Sequence, residues 1–187
     1  EEEVLVSLAN TATFDPSIHI RTNTVTSACG ICGRMTTEGF IEMEYPQVSE
    51  ELKIPIDIIN NCINTMEDYQ GLFSKTGGSH ACASFDINGV MMHIFEDIGR
   101  HNAMDKLVGS HIFHGKMPVA HGFVIVSGRA SYELVQKSIR AGFSAIIAIG
   151  APSTLAVDLA KEYGLTLGCF AKIDSLNIYS GARRIEL

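Results

Sequence analysis

Three apolar runs in the second half of the chain, Gly122–Val126, Ala145–Ile149 and Leu165–Phe170, are continuous rather than alternating. An alternating strand can leave one face in water, but a strand that is apolar at successive positions has to be covered on both. Ser131–Ala141 and Thr154–Tyr163, which separate these runs, read as helices, and Gly142 and Gly164 stand where helices stop. Strand, helix, strand, helix, strand is the order of a sheet with helices on both faces.

Upstream elements extend that sheet. Ala81–Ile87 and Val90–Glu96 are joined across Asn88-Gly89, the strongest short hairpin signal. A helix from about His101 to Phe113 follows, burying Ala103, Met104, Leu107 and Val108. Pro55 suits a first helical turn, and Ile58, Ile59, Cys62, Ile63 and Met66 then line one face through Tyr69. Before it, Val4, Val6 and Leu8 alternate as in a short strand, and the stretch from Gly33 to Pro55 is irregular, with Pro46 and Pro55 as breakers. The expected organisation is an N-terminal segment, residues 1–54, and a mixed-sheet α/β domain, residues 55–187.

The 187 residues suit one domain with a small appendage, and at 46% hydrophobic they can bury a substantial core. No apolar run approaches the length of a membrane span. Glu1-Glu2-Glu3 is acidic where a secretory signal would be basic, and five cysteines, an odd number, do not form a disulfide framework. A reducing, cytoplasmic setting is expected. The net charge of −7 argues against general nucleic-acid binding, although a local basic pocket could hold a phosphate.

Four segments gather polar and glycine residues that core packing does not ask for. They are Thr76–His80, Glu96–Asn102, Ser127–Ser131 and Lys172–Tyr179. The second and third open successive helices, whose first N–H groups and partial positive charge favour an anion. Arg100 and Arg129 add guanidinium forks suited to phosphate. Arg100, His101, Ser127 and Arg129 are therefore candidates for holding a nucleotide-like anion. The plain alternative is that Ser127 and Ser131 cap or turn, while the arginines pair with Glu96 and Asp97.

The remaining histidines point to little. His93 reads as an ordinary sheet residue, and His111, His114 and His121 read as surface. Cys62 falls on an apolar helix face and Cys169 inside a strand, so both read as buried, and Cys82 reads as buried as well, despite its nearness to His80. Cys29-Gly30-Ile31-Cys32-Gly33 differs from them. Two thiols two residues apart, flanked by glycine, suit a half zinc site, dithiol redox chemistry or sulfur relay through a thiolate, with Arg34 nearby to favour the anion. A second Cys or His pair for zinc is missing, and Arg34–Gly39 is a poor helix for a thioredoxin-like motif.

The blocks Thr26–Gly33, Thr76–Ala81, Glu96–Lys106 and Ser127–Lys137, continued by Ala151–Val157 and Asn177–Tyr179, together resemble the FdhD family in order and spacing. The resemblance implies a cytidine-deaminase-like three-layer α/β sandwich with a mixed sheet, plus a small N-terminal segment carrying the Cys29–Cys32 loop. It implies that deaminase zinc ligands are lost, with no structural metal, and that the cleft serves a guanine nucleotide. Such proteins are sulfur carriers, a sulfurtransferase activity. A cysteine desulfurase would load Cys29 as a persulfide, with Cys32 assisting. The sulfur would pass to molybdenum or tungsten in bis(molybdopterin guanine dinucleotide) before that cofactor enters formate dehydrogenase. The cofactor stretch falls on Phe170, Ala171, Lys172, Ile173, Asp174 and Ser175, and a homodimer is implied. A cofactor-binding chaperone that relays no sulfur, and a nucleotide-dependent zinc deaminase, are the rival expectations.

Departures from the pattern are local. Ile173 and Ser175 stand where Gly and Arg are common, and Phe95 stands where a basic residue is common. Members of such a family usually carry several dozen residues ahead of the segment that opens here.

Overall fold

The computed structural model describes residues 5, 7–9, 11–12, 46, 48 and 52–187. Val4 and Val6 of the expected N-terminal strand, the Cys29–Cys32 loop with Arg34, and most of the irregular stretch before Pro55 lie outside the described residues, while Leu5, Ser7 and Leu8 are exposed and form no strand.

The described chain runs β1 (Ile54–Pro55), α1 (Ile56–Asp68), α2 (Gly71–Thr76), β2 (His80–Asp86), β3 (Met91–Asp97) and α3 (Arg100–Phe113). It continues through β4 (Gly122–Val126), α4 (Tyr132–Ala141), β5 (Ala145–Ala148), α5 (Thr154–Glu162), β6 (Thr166–Lys172) and β7 (Ser175–Ser180). A 3₁₀ turn, Ala182–Arg184, leads to β8 (Ile185–Glu186), which pairs parallel with β1. The main sheet has the order β3-β2-β4-β5-β6-β7. Its centre, β4-β5-β6, is parallel, while β3, β2 and β7 join antiparallel. The expected mixed α/β sheet is therefore what the chain forms.

Two apolar clusters explain the continuous runs. Phe123, Ile125, Ala145 and Ile147 face Ile59, Cys62, Ile63 and Met66 of α1. Their neighbours Val124, Val126, Ile146 and Ala148 face the other way, onto Met104, Leu107, Leu134, Val135, Ile139 and Leu159 of α3, α4 and α5. Every residue of β4 and β5 is buried. Each fully buried Val, Ile, Leu or Phe contributes about 1.5–3 kcal/mol, so the two-sided burial of these strands anchors the domain. Gly142, at φ +78°, closes α4 in the left-handed conformation expected of it.

Three readings need correction, and two small elements went unread. His111, read as surface, is wholly buried, and Val108 is only half-buried. The helical period from Met104 and Leu107 reaches 111, so the stripe passes through the histidine. Most of the polar segment Lys172–Tyr179 is the turn and return strand of the β6–β7 hairpin, on the sheet edge where polar residues are tolerated. The six-residue α2 and the β1–β8 pair carry no pattern of their own. Tertiary hydrogen bonds hold them: Glu96 accepts from Leu72 N (2.7 Å) and Phe73 N (2.8 Å), and the buried Arg184 donates to Gly164 O (2.7 Å). Among the described residues no helix is long and apolar enough to cross a membrane.

Candidate functional site

Strand direction brings the four polar segments to one edge. β4, β5 and β6 all end there, β2 begins there because it runs antiparallel to β4, and β3 returns to it with Asp97 opposite His80. In open α/β sheets this is where ligands bind, at strand ends that meet helix starts.

Backbone bonds stitch the edge together. Ser127 N donates to Ala81 O (3.0 Å), and Ser127 Oγ accepts from Ala81 N (2.9 Å). Gly150 N donates to Gly128 O (2.9 Å), and Phe170 N donates to Gly150 O (3.1 Å). Two glycines are needed for close approach. A Cβ on Gly128 would sit 3.3 Å from His80 Nδ1 and 3.7 Å from Arg100 Cδ, and one on Gly150 would sit 3.0 Å from Arg129 N, Cα and Cγ. His80, Arg100, Arg129 and Phe170 therefore converge around two positions without side chains.

The charges at this edge are held in defined ways. Burial and the neighbouring Arg129 both push the Arg100 guanidinium down from its usual pKa, and Glu133 opposes them. A site that sets two guanidinium groups against each other is relieved by an anion. His101 Nε2 lies 3.1 Å from Ser131 Oγ and 3.1 Å from Glu133 Oε2, so Ser131 is tied to His101 and makes no side-chain cap on α4. Ser127 is likewise fixed by a strand rather than by a helix start.

Glu96 and Asp97 have structural duties. Besides the two α2 N–H groups, Glu96 accepts from Ser79 Oγ (2.8 Å); burial acts to raise its pKa, but these bonds hold it below the usual range. Lys106, 2.6 Å away, the Gly99 N–H and Asn102 hold Asp97 down at about 2.

A cavity of about 600 Å³ opens on the α1 side of the same edge, lined in part by Met66, Gln70, Phe73, Gly78, His80 and Ser127. Of the residues expected to bind the cofactor, only Ser127 lines it. The sequence reading missed Met66, Gln70, Phe73 and Ile149 as lining residues. One signal was present: Gln70 stands one turn beyond Met66, where α1's apolar stripe would continue, and it is buried there.

The expected cofactor stretch divides in two. Phe170, at φ +53° and 42% exposed, stands at the cleft beside Gly150. Ala171 is packed into the α1-side core, so only its backbone remains available, and Lys172, Ile173, Asp174 and Ser175 form the exposed hairpin end. Cys29 and Cys32 lie outside the described residues. Cys62, Cys82 and Cys169 are buried, as expected of them, and burial pushes each thiol up to about 12. Among the described residues no cluster of His, Cys, Asp or Glu could hold a metal ion.

The model of the FdhD/NarQ family matches residues 1–186. The chain belongs to that family. It is 40% identical over 172 residues to the sulfur carrier protein FdhD of Nocardia farcinica, an alignment covering 90% of this chain and 62% of the relative. The corresponding Streptomyces coelicolor protein is 38% identical, covering 92% of this chain and 62% of the relative. That of Sulfolobus acidocaldarius is 37% identical, over the whole of this chain and 70% of the relative. The chain thus spans about three fifths of the length of the first two. A crystal structure of a formate dehydrogenase accessory protein from Desulfotalea psychrophila superposes with a TM-score of 0.69 at 30% identity, covering 75% of this chain and 59% of that one.

Proposed function

We propose that this chain is a sulfur carrier, a sulfurtransferase that takes sulfur from a cysteine desulfurase on Cys29 and delivers it to a guanine dinucleotide cofactor of molybdenum or tungsten destined for formate dehydrogenase. The observation that carries the reading is the meeting of Arg100, His101, Arg129 and a cavity at one strand edge, in a chain whose relatives are named sulfur carriers. The guanine would occupy the cavity, and the diphosphate would lie against the two arginines, with Phe170 and the exposed hairpin from Lys172 to Ser175 closing the far side. The architecture is a cytidine-deaminase-like sandwich given over to nucleotide recognition, residues 55–187, with residues 1–54 bearing the sulfur loop. The setting is the cytoplasm, and the working form a homodimer.

Thiol chemistry supports the choice of cysteine. The nucleophile in sulfur transfer is the thiolate, and the three buried thiols are held protonated. In the loading step Cys29 thiolate attacks the outer sulfur of the desulfurase persulfide, and the desulfurase cysteine leaves as its thiolate. Attack of Cys32 on the Cys29 persulfide would then release hydrosulfide to the metal and close a disulfide, which gives Cys32 its assisting role. Fixing the acceptor beside the carrier makes delivery effectively intramolecular.

The test is incubation with a desulfurase and cysteine, followed by peptide mass mapping. One added sulfur on Cys29 is expected; an unmodified Cys29 with a persulfide elsewhere overturns the assignment. Cys29→Ala should lose sulfur transfer and keep guanosine diphosphate binding. Full rescue of formate dehydrogenase by that variant would replace the carrier with a chaperone that relays no sulfur.

A further inference from the structure

His101 is held by two side chains at one nitrogen. Its Nε2 is 3.1 Å from Glu133 Oε2 and 3.1 Å from Ser131 Oγ. Glu133 and Ser131 are buried, whereas the His101 side chain keeps 31% of its surface exposed. An ionised carboxylate can only accept, so Nε2 carries the proton and donates it toward Glu133. That fixes the tautomer. The other nitrogen, Nδ1, is then an acceptor in the neutral ring and a donor in the cation.

The groups around the ring come from every element that packs on it. Arg100 and Asp105 share its helix; Glu133 and Lys137 stand on α4, with Lys137 Nζ donating to His101 O (3.3 Å) and paired to Asp105 (2.7 Å). Arg129 acts on Arg100 from the loop after β4, and the His80 ring lies across Gly128 from Arg100. Burial is the largest influence and pushes the His101 pKa down; Glu133 pulls the other way, and Arg100 and Lys137 reinforce the burial. An anion that neutralises Arg100 removes one of the influences that oppose protonation and leaves Glu133 favouring it.

We propose that His101 takes up a proton when a diphosphate binds between Arg100 and Arg129, and that Glu133 and Ser131 are the positioning residues that make this uptake possible. The proton comes from solvent and goes to Nδ1, which then donates to a phosphate oxygen. The ring charge rises from zero to one, Glu133 balances it, and no electrons move. The inference rests on the reading of this edge as the diphosphate site and adds that its occupancy is coupled to pH. A pH-dependent grip gives the cofactor a way to be held firmly in one protonation state and released in the other.

The test is titration calorimetry of the full chain with guanosine diphosphate mannose, whose diphosphate is esterified at both ends and does not titrate near neutrality. Measured in two buffers of different ionisation enthalpy, the wild type is expected to take up roughly half to one proton per site, and its affinity should rise as pH falls from 8.5 to 6.5. In Glu133→Gln, which keeps an acceptor oxygen but removes the charge, uptake should shrink and the gain in affinity between pH 8.5 and pH 6.5 should be several-fold smaller than in the wild type. The His101 imidazole resonances should move toward their protonated positions on adding the ligand. Binding without proton exchange, or uptake with the His101 resonances unmoved, overturns the proposal and leaves the diphosphate site standing. Absence of binding to the wild type overturns the diphosphate site, and this proposal with it.

Discussion

Helix α3 carries a histidine near each end, and the two are held in opposite ways. His101, at the site, has a buried carboxylate against it and a third of its side chain in solvent. His111, three turns on, is wholly buried. Its Nε2 meets Ser84 Oγ at 3.0 Å, its ring stands edge-on to Phe143 at 5.7 Å and to His93 at 4.8 Å, and His93 in turn stacks on His114 at 5.4 Å. Burial first, then His93, Lys116 and His114, push the His111 pKa down to about 4, and no carboxylate figures among these influences. The difference shows what a buried histidine needs to remain a titrating group. With a counter-charge it is poised; without one it is a core residue that contains nitrogen.

The largest expected effect separates the two directly. His111→Ala removes a ring from a packed site and strands Ser84 Oγ in the core, which should cost about 2–4 kcal/mol of stability. His101→Gln, at the half-exposed end, should stay within about 1 kcal/mol of wild type. Urea denaturation of both variants checks this. Equal losses would mean that the site end of α3 is as much core as the other.

Acid unfolding sharpens the contrast next. The folded-state pKa of His111 is depressed, so at acid pH the folded protein binds fewer protons than the unfolded chain. Its contribution is present in full above about pH 6.5 and drains as pH falls toward 4, a loss on the order of 2 kcal/mol. His93, pushed down by burial, His114 and Lys116, loses stability in the same direction. Asp97 acts lower: its pKa is depressed from the ordinary carboxylate value to about 2, so its contribution disappears as pH falls from about 4 toward 2. Urea midpoints against pH should show two descents. His111→Leu should flatten the upper one and leave the lower; an unchanged upper descent would show that His111 does not set it.

What the sequence revealed follows the same division. The central sheet was legible because β4 and β5 are apolar at every position, the hairpin because Asn88-Gly89 permits the turn, and α4 because Gly142 ends it. The gathering of Arg100 and Arg129 at one edge was legible because the sequence puts them where strands end and helices start. His111 was not, because a single polar letter on an apolar stripe reads as an exception rather than as core. Gln70 hid for the same reason. β7 hid because an edge strand of Ser175-Leu176-Asn177-Ile178-Tyr179-Ser180 is as polar as a loop. Glu133 gave no signal at all. Its contact with His101 depends on α3 and α4 starting side by side, which only the topology brings about.

The smallest expected effect concerns two serines that look alike in sequence, each just before a helix. Ser153 precedes α5 and accepts from Ala156 N at 3.2 Å, so it caps that helix. Ser131 precedes α4 but spends its hydroxyl on His101. Ser153→Ala should therefore lower stability by about 0.5–1 kcal/mol, the usual cost of a lost cap. Ser131→Ala should cost less than that and instead move the His101 titration, followed by NMR, because one of the two groups fixing Nε2 is gone. If Ser131→Ala destabilised the protein as much as Ser153→Ala and left the His101 titration where it was, Ser131 would be a cap after all. The polar cage at the site end of α3 would then reduce to Glu133 alone, and the contrast with His111 would rest on one carboxylate.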